Sequence, residues 1–145
     1  MSLEVLLVED SPGDVRLTRE ALHAANAQIN LHVASDGVEA LAFLMQAGTR
    51  FGAPRPNLVL LDLNLPKLDG FEVLAAIKRT ERLKAIPTIV LTTSTAEEDS
   101  VNCYKLQANC FFIKPDGLEE FLEMVRRIND FWLKTAKLPQ ERFDA

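Results

Sequence analysis

Short runs of consecutive apolar residues alternate along the chain with longer stretches in which apolar residues recur every three or four positions. The runs LEVLLV (3–8), LHVAS (31–35), NLVLLDL (57–63), PTIVLTTS (87–94) and NCFFIK (109–114) predict five β-strands. Several are apolar at successive positions, as expected of strands covered on both faces. Between them, Val15, Thr18, Leu22 and Ala25 predict the inward face of a first helix, and Val38, Leu41, Ala42 and Met45 that of a second. A third helix is expected after Gly70, with Val73, Leu74 and Ile77 inward. A fourth is expected near Thr95, where Thr95 and Glu98 have capping-box spacing, with a thin face of Val101, Tyr104 and Ala108. A fifth starts near Leu118 and carries a stripe of Phe121, Leu122, Val125, Ile128 and Trp132. Strands alternating with helices imply an α/β fold: a doubly wound parallel sheet with right-handed crossovers and helices on both faces.

Composition narrows this picture. The 145 residues, 48% of them hydrophobic, suit one domain with a core of ordinary size. Residues 46–57, QAGTRFGAPRPN, read as a loop before the third strand, and 134–145, KTAKLPQERFDA, as a partly mobile tail after a domain spanning 1–133. Sixteen Lys and Arg against 21 Asp and Glu give a formal charge of −5, which argues against general affinity for nucleic acid or an anionic membrane. Cys103 and Cys110 are too few for a disulfide framework and lack metal-ligand spacing, so reduced thiols in a cytoplasmic protein are expected. No apolar run approaches the ~20 residues that span a bilayer.

In a parallel doubly wound sheet, the active crevice lies beyond the carboxyl ends of the strands. Here the first strand ends in Glu9-Asp10, the third in Asp62, the fourth in Thr92 and the fifth in Lys114-Pro115. Each has an ordinary reading alone: an acidic turn, a β-branched strand residue, a solvated strand exit. Asp62 is harder to dismiss, because a carboxylate beside LVLL is costly to bury without a partner. Three converging carboxylates repel one another unless a cation lies among them. An all-oxygen donor set favours Mg²⁺ over Zn²⁺. A hydroxyl at Thr92 and an ammonium at Lys114 complete a pocket for a phosphoryl group, with a carboxylate as nucleophile.

These residues resemble the receiver domains of two-component response regulators, from LLVED (6–10) through FFIKP (111–115) and the helix beyond. The resemblance implies a flavodoxin-like (βα)5 fold with strand order 2-1-3-4-5 and a phosphohistidine donor on a histidine kinase. It further implies Asp62 as phosphoacceptor, with Glu9, Asp10, Asp62 and the backbone carbonyl of Asn64 as Mg²⁺ ligands. Thr92 takes the position of the switch hydroxyl, Phe111 that of the switch aromatic and Lys114 that of the phosphate-contacting lysine. Asn64 and Ser94 fall where the hydrolysis lifetime is tuned, and Lys114-Pro115 where the family has a cis bond. More narrowly, SPGDVRLTREAL, DGVEALAFL, APRPNLVLLDLNLPK and DFWLKTAKLP are similar to the receiver-only regulators that partner bacterial phytochromes, which form homodimers. Phe131 and Trp132 read either as core for the last helical turn or as a dimer or kinase contact. Two departures stand out: Thr93 where many receivers have Ala, and Leu63, which leaves no tryptophan beside the acceptor.

Other classes fit less well. Haloacid-dehalogenase-like phosphatases pair the nucleophile with an Asp two residues on, where this chain has Asn64. A flavodoxin would cradle an anionic FMN phosphate in its first loop, where EDSPGD presents Glu9, Asp10 and Asp14. A docking protein without phosphorylation would have no use for the assembled Glu9, Asp10, Asp62, Thr92 and Lys114. The short stretch beyond Phe131 leaves no room for a DNA-binding module, so output is expected through protein contacts.

Overall fold

A computed structural model describes residues 3–26, 28–49 and 52–139. Its elements follow in the order β1 (Leu3–Val8), α1 (Pro12–Ala25), β2 (Ile29–Ala34), α2 (Gly37–Gln46), β3 (Leu58–Leu61), α3 (Gly70–Arg79), β4 (Thr88–Thr92), α4 (Glu97–Lys105), β5 (Cys110–Ile113) and α5 (Leu118–Ile128). A π-helical segment, Asn129–Thr135, continues α5. The strands form one parallel sheet in the order β2-β1-β3-β4-β5, the flavodoxin-like arrangement.

The strand period of two explains why the central runs are apolar throughout. Leu58 and Leu60 of β3 join Val5, Leu7, Ile89 and Leu91 on one face, packed against Leu22 of α1 and Phe121, Val125 and Ile128 of α5. Val59 and Leu61 join Leu6, Val8 and Val90 on the other, against Leu44 of α2, Val73, Leu74 and Ile77 of α3 and Cys103 of α4. At about 1.5–3 kcal/mol for each large side chain fully withdrawn from water, these two cores fix both sheet order and register. Leu133 and Leu138 belong to the α1–α5 core as well, so the chain packs onto the domain beyond α5. Residues 140–145, the end of the expected tail, lie outside the described residues. Among the described residues, no helix is long and apolar enough to cross a membrane.

Four expectations are corrected. In α2 the inward residues are Ala40 and Leu44, with Leu41 half-buried, whereas Val38, Ala42 and Met45 are exposed. GVEALAFLM is apolar nearly all round, so spacing alone did not identify the buried stripe. The Thr95–Glu98 capping box does not form: α4 starts after Ala96, which makes no side-chain cap. Ser94 takes over, its hydroxyl donating to Asp99 Oδ2 at 2.5 Å and accepting from the Ala96 N–H at 3.3 Å. Val101 and Tyr104 are likewise exposed, and Cys103 is what α4 buries. Among the described residues no peptide bond is cis, Lys114-Pro115 included. The tertiary amide leaves the two isomers within about 1 kcal/mol, with trans the ordinary state.

Candidate phosphoryl-transfer site

Each strand-end residue is held by one ladder bond beyond its strand. Glu9 donates its N–H to the Ala34 carbonyl at 3.0 Å, Asp62 to the Val8 carbonyl at 3.0 Å and Lys114 to the Thr92 carbonyl at 2.7 Å. Backbone pairing therefore continues through the residue whose side chain leaves the sheet. Sheet registry thus becomes site geometry: Val8 lies opposite Leu61 and Ala34, so Glu9 and Asp62 emerge side by side.

The crevice collects carboxylates around one ammonium. Carboxylate oxygens of Glu9, Asp10 and Asp62 lie within 4.8 Å of one another. Glu9 and Asp62 are buried at 3% and 7% exposure, and Asp10 is exposed. Lys114 Nζ, buried, donates to Glu9 Oε1, to Asp14 Oδ2 at 3.0 Å and to Asp62 Oδ2 at 3.4 Å. Burial pushes the Glu9 carboxyl up to about 7, with the Asp62 charge adding to the rise and Lys114 opposing it. For Lys114, burial acts to lower the pKa. The hydrogen bond to Glu9 and the charges of Asp62 and Glu9 outweigh it, and the ammonium is held above its usual range.

Thr92 is fully buried, and its hydroxyl accepts the Ser94 N–H at 3.3 Å. Phe111, paired with Val90 across β4 and β5, is half-buried on the same sheet face as the α2–α4 core. By strand alternation Thr92 shares that face. Asn64 is exposed, and its N–H donates to Asp62 Oδ1 at 3.3 Å. Thr93 is exposed, while Leu63 is buried in the α2–α4 core. Phe131 and Trp132 stand apart from the crevice, edge to face with centroids 5.3 Å apart. Trp132 packs against the α1–α5 core, the core reading of that residue, and Phe131 is 56% exposed.

Asp14 is the crevice residue that strand-end reasoning did not select. It sits in the first turn of α1, capped by Ser11, whose hydroxyl accepts the Asp14 N–H at 3.3 Å. Ser11 also donates its own N–H to Glu9 Oε2 at 3.1 Å, tying this turn to the metal-type cluster. The available signal was the third carboxylate of EDSPGD, one helical turn beyond Asp10.

An all-oxygen set with two buried carboxylates fits a hard divalent cation.

Known proteins agree with this geometry. Residues 5–126 match the family described as response regulator receiver domain. Response regulator Rcp1 of Synechocystis sp. is 50% identical over 135 residues, covering 93% of this chain and 92% of the relative. The Mn²⁺-bound form of Rcp1 superimposes with a TM-score of 0.89 at 49% identity, covering 94% of this chain and 99% of that one. The phosphorylated cyanobacterial phytochrome response regulator RcpA gives 0.91 at 45% identity, covering 97% and 100%. Sequence, fold and crevice therefore place this chain in the response regulator receiver domain family, the phosphoacceptor modules of two-component signalling.

Proposed function

We propose that Asp62 accepts a phosphoryl group from the phosphohistidine of a sensor histidine kinase, a phytochrome kinase by similarity to RcpA. The observation that carries this reading is the convergence of Lys114 on Asp62 inside a cluster of three carboxylates. An Asp62 carboxylate oxygen attacks phosphorus, the P–N bond to the imidazole breaks with its electron pair going to nitrogen, and an acyl phosphate results. Lys114 lies ready to neutralise a phosphoryl oxygen. Glu9, Asp10, Asp62 and the Asn64 carbonyl would hold Mg²⁺, which supplies further neutralisation of the transferring group.

By analogy with other phosphorylated side chains, the phosphoryl group carries roughly −1.5 to −2 charge and three acceptor oxygens. Thr92 supplies a hydroxyl to it and leaves the Ser94 N–H, and Phe111 turns into the space Thr92 vacates. That rearrangement changes the surface of α4, β5 and α5. Asn64 and Ser94 flank the path of a water that attacks phosphorus and returns Asp62 to a carboxylate, so the domain assists its own dephosphorylation. Exposed Phe131, seated on the anchored Trp132, provides the contact for a homodimer, and output passes through protein contacts.

The test is incubation with acetyl phosphate and Mg²⁺, followed by intact mass of the wild type and Asp62→Asn. The wild type gains one labile phosphoryl group and the variant none. No gain in the wild type, or an equal gain in the variant, removes Asp62 from the role.

A further inference from the structure

An ammonium has three N–H donors, and Lys114 spends them on three carboxylates: Glu9, Asp14 and Asp62. Glu9 and Asp62 belong to the cluster whose oxygens can share a cation, and Asp14 does not. Its side chain is 34% exposed, against 4% for Glu9 and 9% for Asp62. A carboxylate in the first turn of a helix ordinarily faces water and favours the helix dipole. Asp14 instead turns one oxygen onto a buried ammonium, with its backbone pinned to the Ser11 hydroxyl.

Charge makes the consequence specific. A divalent ion and the Lys114 ammonium together balance Glu9, Asp10 and Asp62, which leaves Asp14 as a surplus negative charge at the crevice mouth. For Lys114 to reach a phosphoryl oxygen, it must release one of its present acceptors. Glu9 and Asp62 face the cation cluster, so the remaining claim on the ammonium is that of Asp14.

We infer that Asp14 is a positioning residue for phosphoryl transfer: it competes with the incoming phosphoryl group for the third N–H of Lys114 and slows loading of Asp62. This rests on the reading of Asp62 as phosphoacceptor. Asp14 is an anionic acceptor, and a neutral amide in its place holds the ammonium less strongly. The bound ammonium and the surplus charge act in the same direction, against arrival of a dianionic donor.

The experiment follows phosphoryl gain by intact mass with acetyl phosphate and Mg²⁺ in the wild type, Asp14→Asn, Asp14→Ala, Asp14→Glu and Glu20→Gln. Asp14→Asn and Asp14→Ala load about three- to tenfold faster, the range expected for removing one like charge from a donor's path. Asp14→Glu restores the wild-type rate, and Glu20→Gln, which removes the same charge elsewhere on α1, leaves it unchanged. The acceleration shrinks in high salt, and Mg²⁺ affinity, read by titration without any phosphoryl donor, stays within about twofold, because Asp14 is not a ligand. Wild-type rates in both neutral variants, or an equal acceleration in Glu20→Gln, overturn the role of Asp14 and leave Asp62 standing. No loading of the wild type overturns the phosphoacceptor reading itself.

Discussion

Gly70, the first residue of α3, couples the acceptor loop to the fold. Its N–H donates to the Leu63 carbonyl at 2.9 Å, which brings the start of α3 against the backbone that carries Asp62. A Cβ at position 70 would lie 2.3 Å from the Asp62 carbonyl oxygen and 2.5 Å from Leu63 Cα. A carbon normally approaches a carbonyl oxygen no closer than about 3.3 Å, so Gly70→Ala requires the two segments to part by about 1 Å. Neither yields easily. Val73, Leu74 and Ile77 fix α3 in the core, and β3 is bonded to strands on both sides. Forced separation of packed elements costs about 1–3 kcal/mol. Gly13 in α1 is the control: its nearest foreign atom to a new Cβ is Ser11 Oγ at 3.9 Å, so Gly13→Ala adds a methyl without a clash. It gains up to about 1 kcal/mol from the lower entropy of the unfolded chain.

Urea unfolding at constant m reads the stability difference, and the acetyl phosphate assay reads the site. Gly70→Ala lowers the midpoint. It also slows Asp62 loading by about tenfold or more, since a displacement near 1 Å at a reacting group costs up to about 10²-fold. Gly13→Ala raises the midpoint and leaves loading unaltered. A Gly70→Ala protein as stable and as readily phosphorylated as the wild type would refute the coupling of α3 to the acceptor.

Four further outcomes follow from the same geometry. Glu9 binds a proton in the folded state up to about pH 7, whereas its ordinary value is 4.5. The metal-free fold therefore binds more protons than the unfolded chain between these values, and Glu9 contributes a loss of stability as pH rises across this window. Urea midpoints at a series of pH values show that component absent in Glu9→Gln, and Mg²⁺ affinity falls by up to about tenfold per unit below pH 7. Lys114→Met leaves buried carboxylates without their cation and costs about 3–5 kcal/mol at pH 8 in chelator, recovered in part by Mg²⁺; an unchanged urea midpoint contradicts the ion cluster. Cys103 is buried and its thiol pushed up to about 11, so iodoacetamide labels it slowly in the native protein and readily in urea; fast native labelling, read by peptide mass, contradicts that burial. Phe131→Ala converts the proposed dimer to monomer in sedimentation velocity while shifting stability by no more than about 0.5 kcal/mol, and a retained dimer removes Phe131 from the interface.

The sheet was legible because its central strands leave no ambiguity. LVLL has no polar position to place in solvent, so both of its faces must be covered, and helices on both sides follow. Helix faces were legible only where polar residues interrupted the apolar ones. In α3, Glu72, Lys78 and Arg79 mark the outside and leave Val73, Leu74 and Ile77 as the inside, as found. In α2 small and large apolar residues occupy most of the circumference, and the buried stripe was set by what β1, β3 and α3 offered to fill. The start of α4 was misplaced for a different reason. Three hydroxyl residues, Thr93, Ser94 and Thr95, stand between β4 and that helix, and the choice of Ser94 over Thr95 depends on how the chain leaves β4.

The crevice was readable for a physical reason that also explains what escaped. Strand ends in a parallel sheet are where backbone pairing continues for one more residue while the side chain is released from the core. Asp62 meets both conditions: the Val8 carbonyl takes its N–H, and its carboxylate leaves the apolar layer just beyond Leu61. Sequence order therefore identifies any residue whose position depends on strand registry. Asp14 does not depend on registry but on the turn from β1 into α1 and on the reach of Lys114 across the crevice. No spacing rule links residues 14 and 114, because the contact is made by side-chain length rather than by backbone pairing. The side chains that leave strand ends are thus fixed by the sheet, whereas others reach the crevice from a helix terminus, as Asp14 does from the first turn of α1.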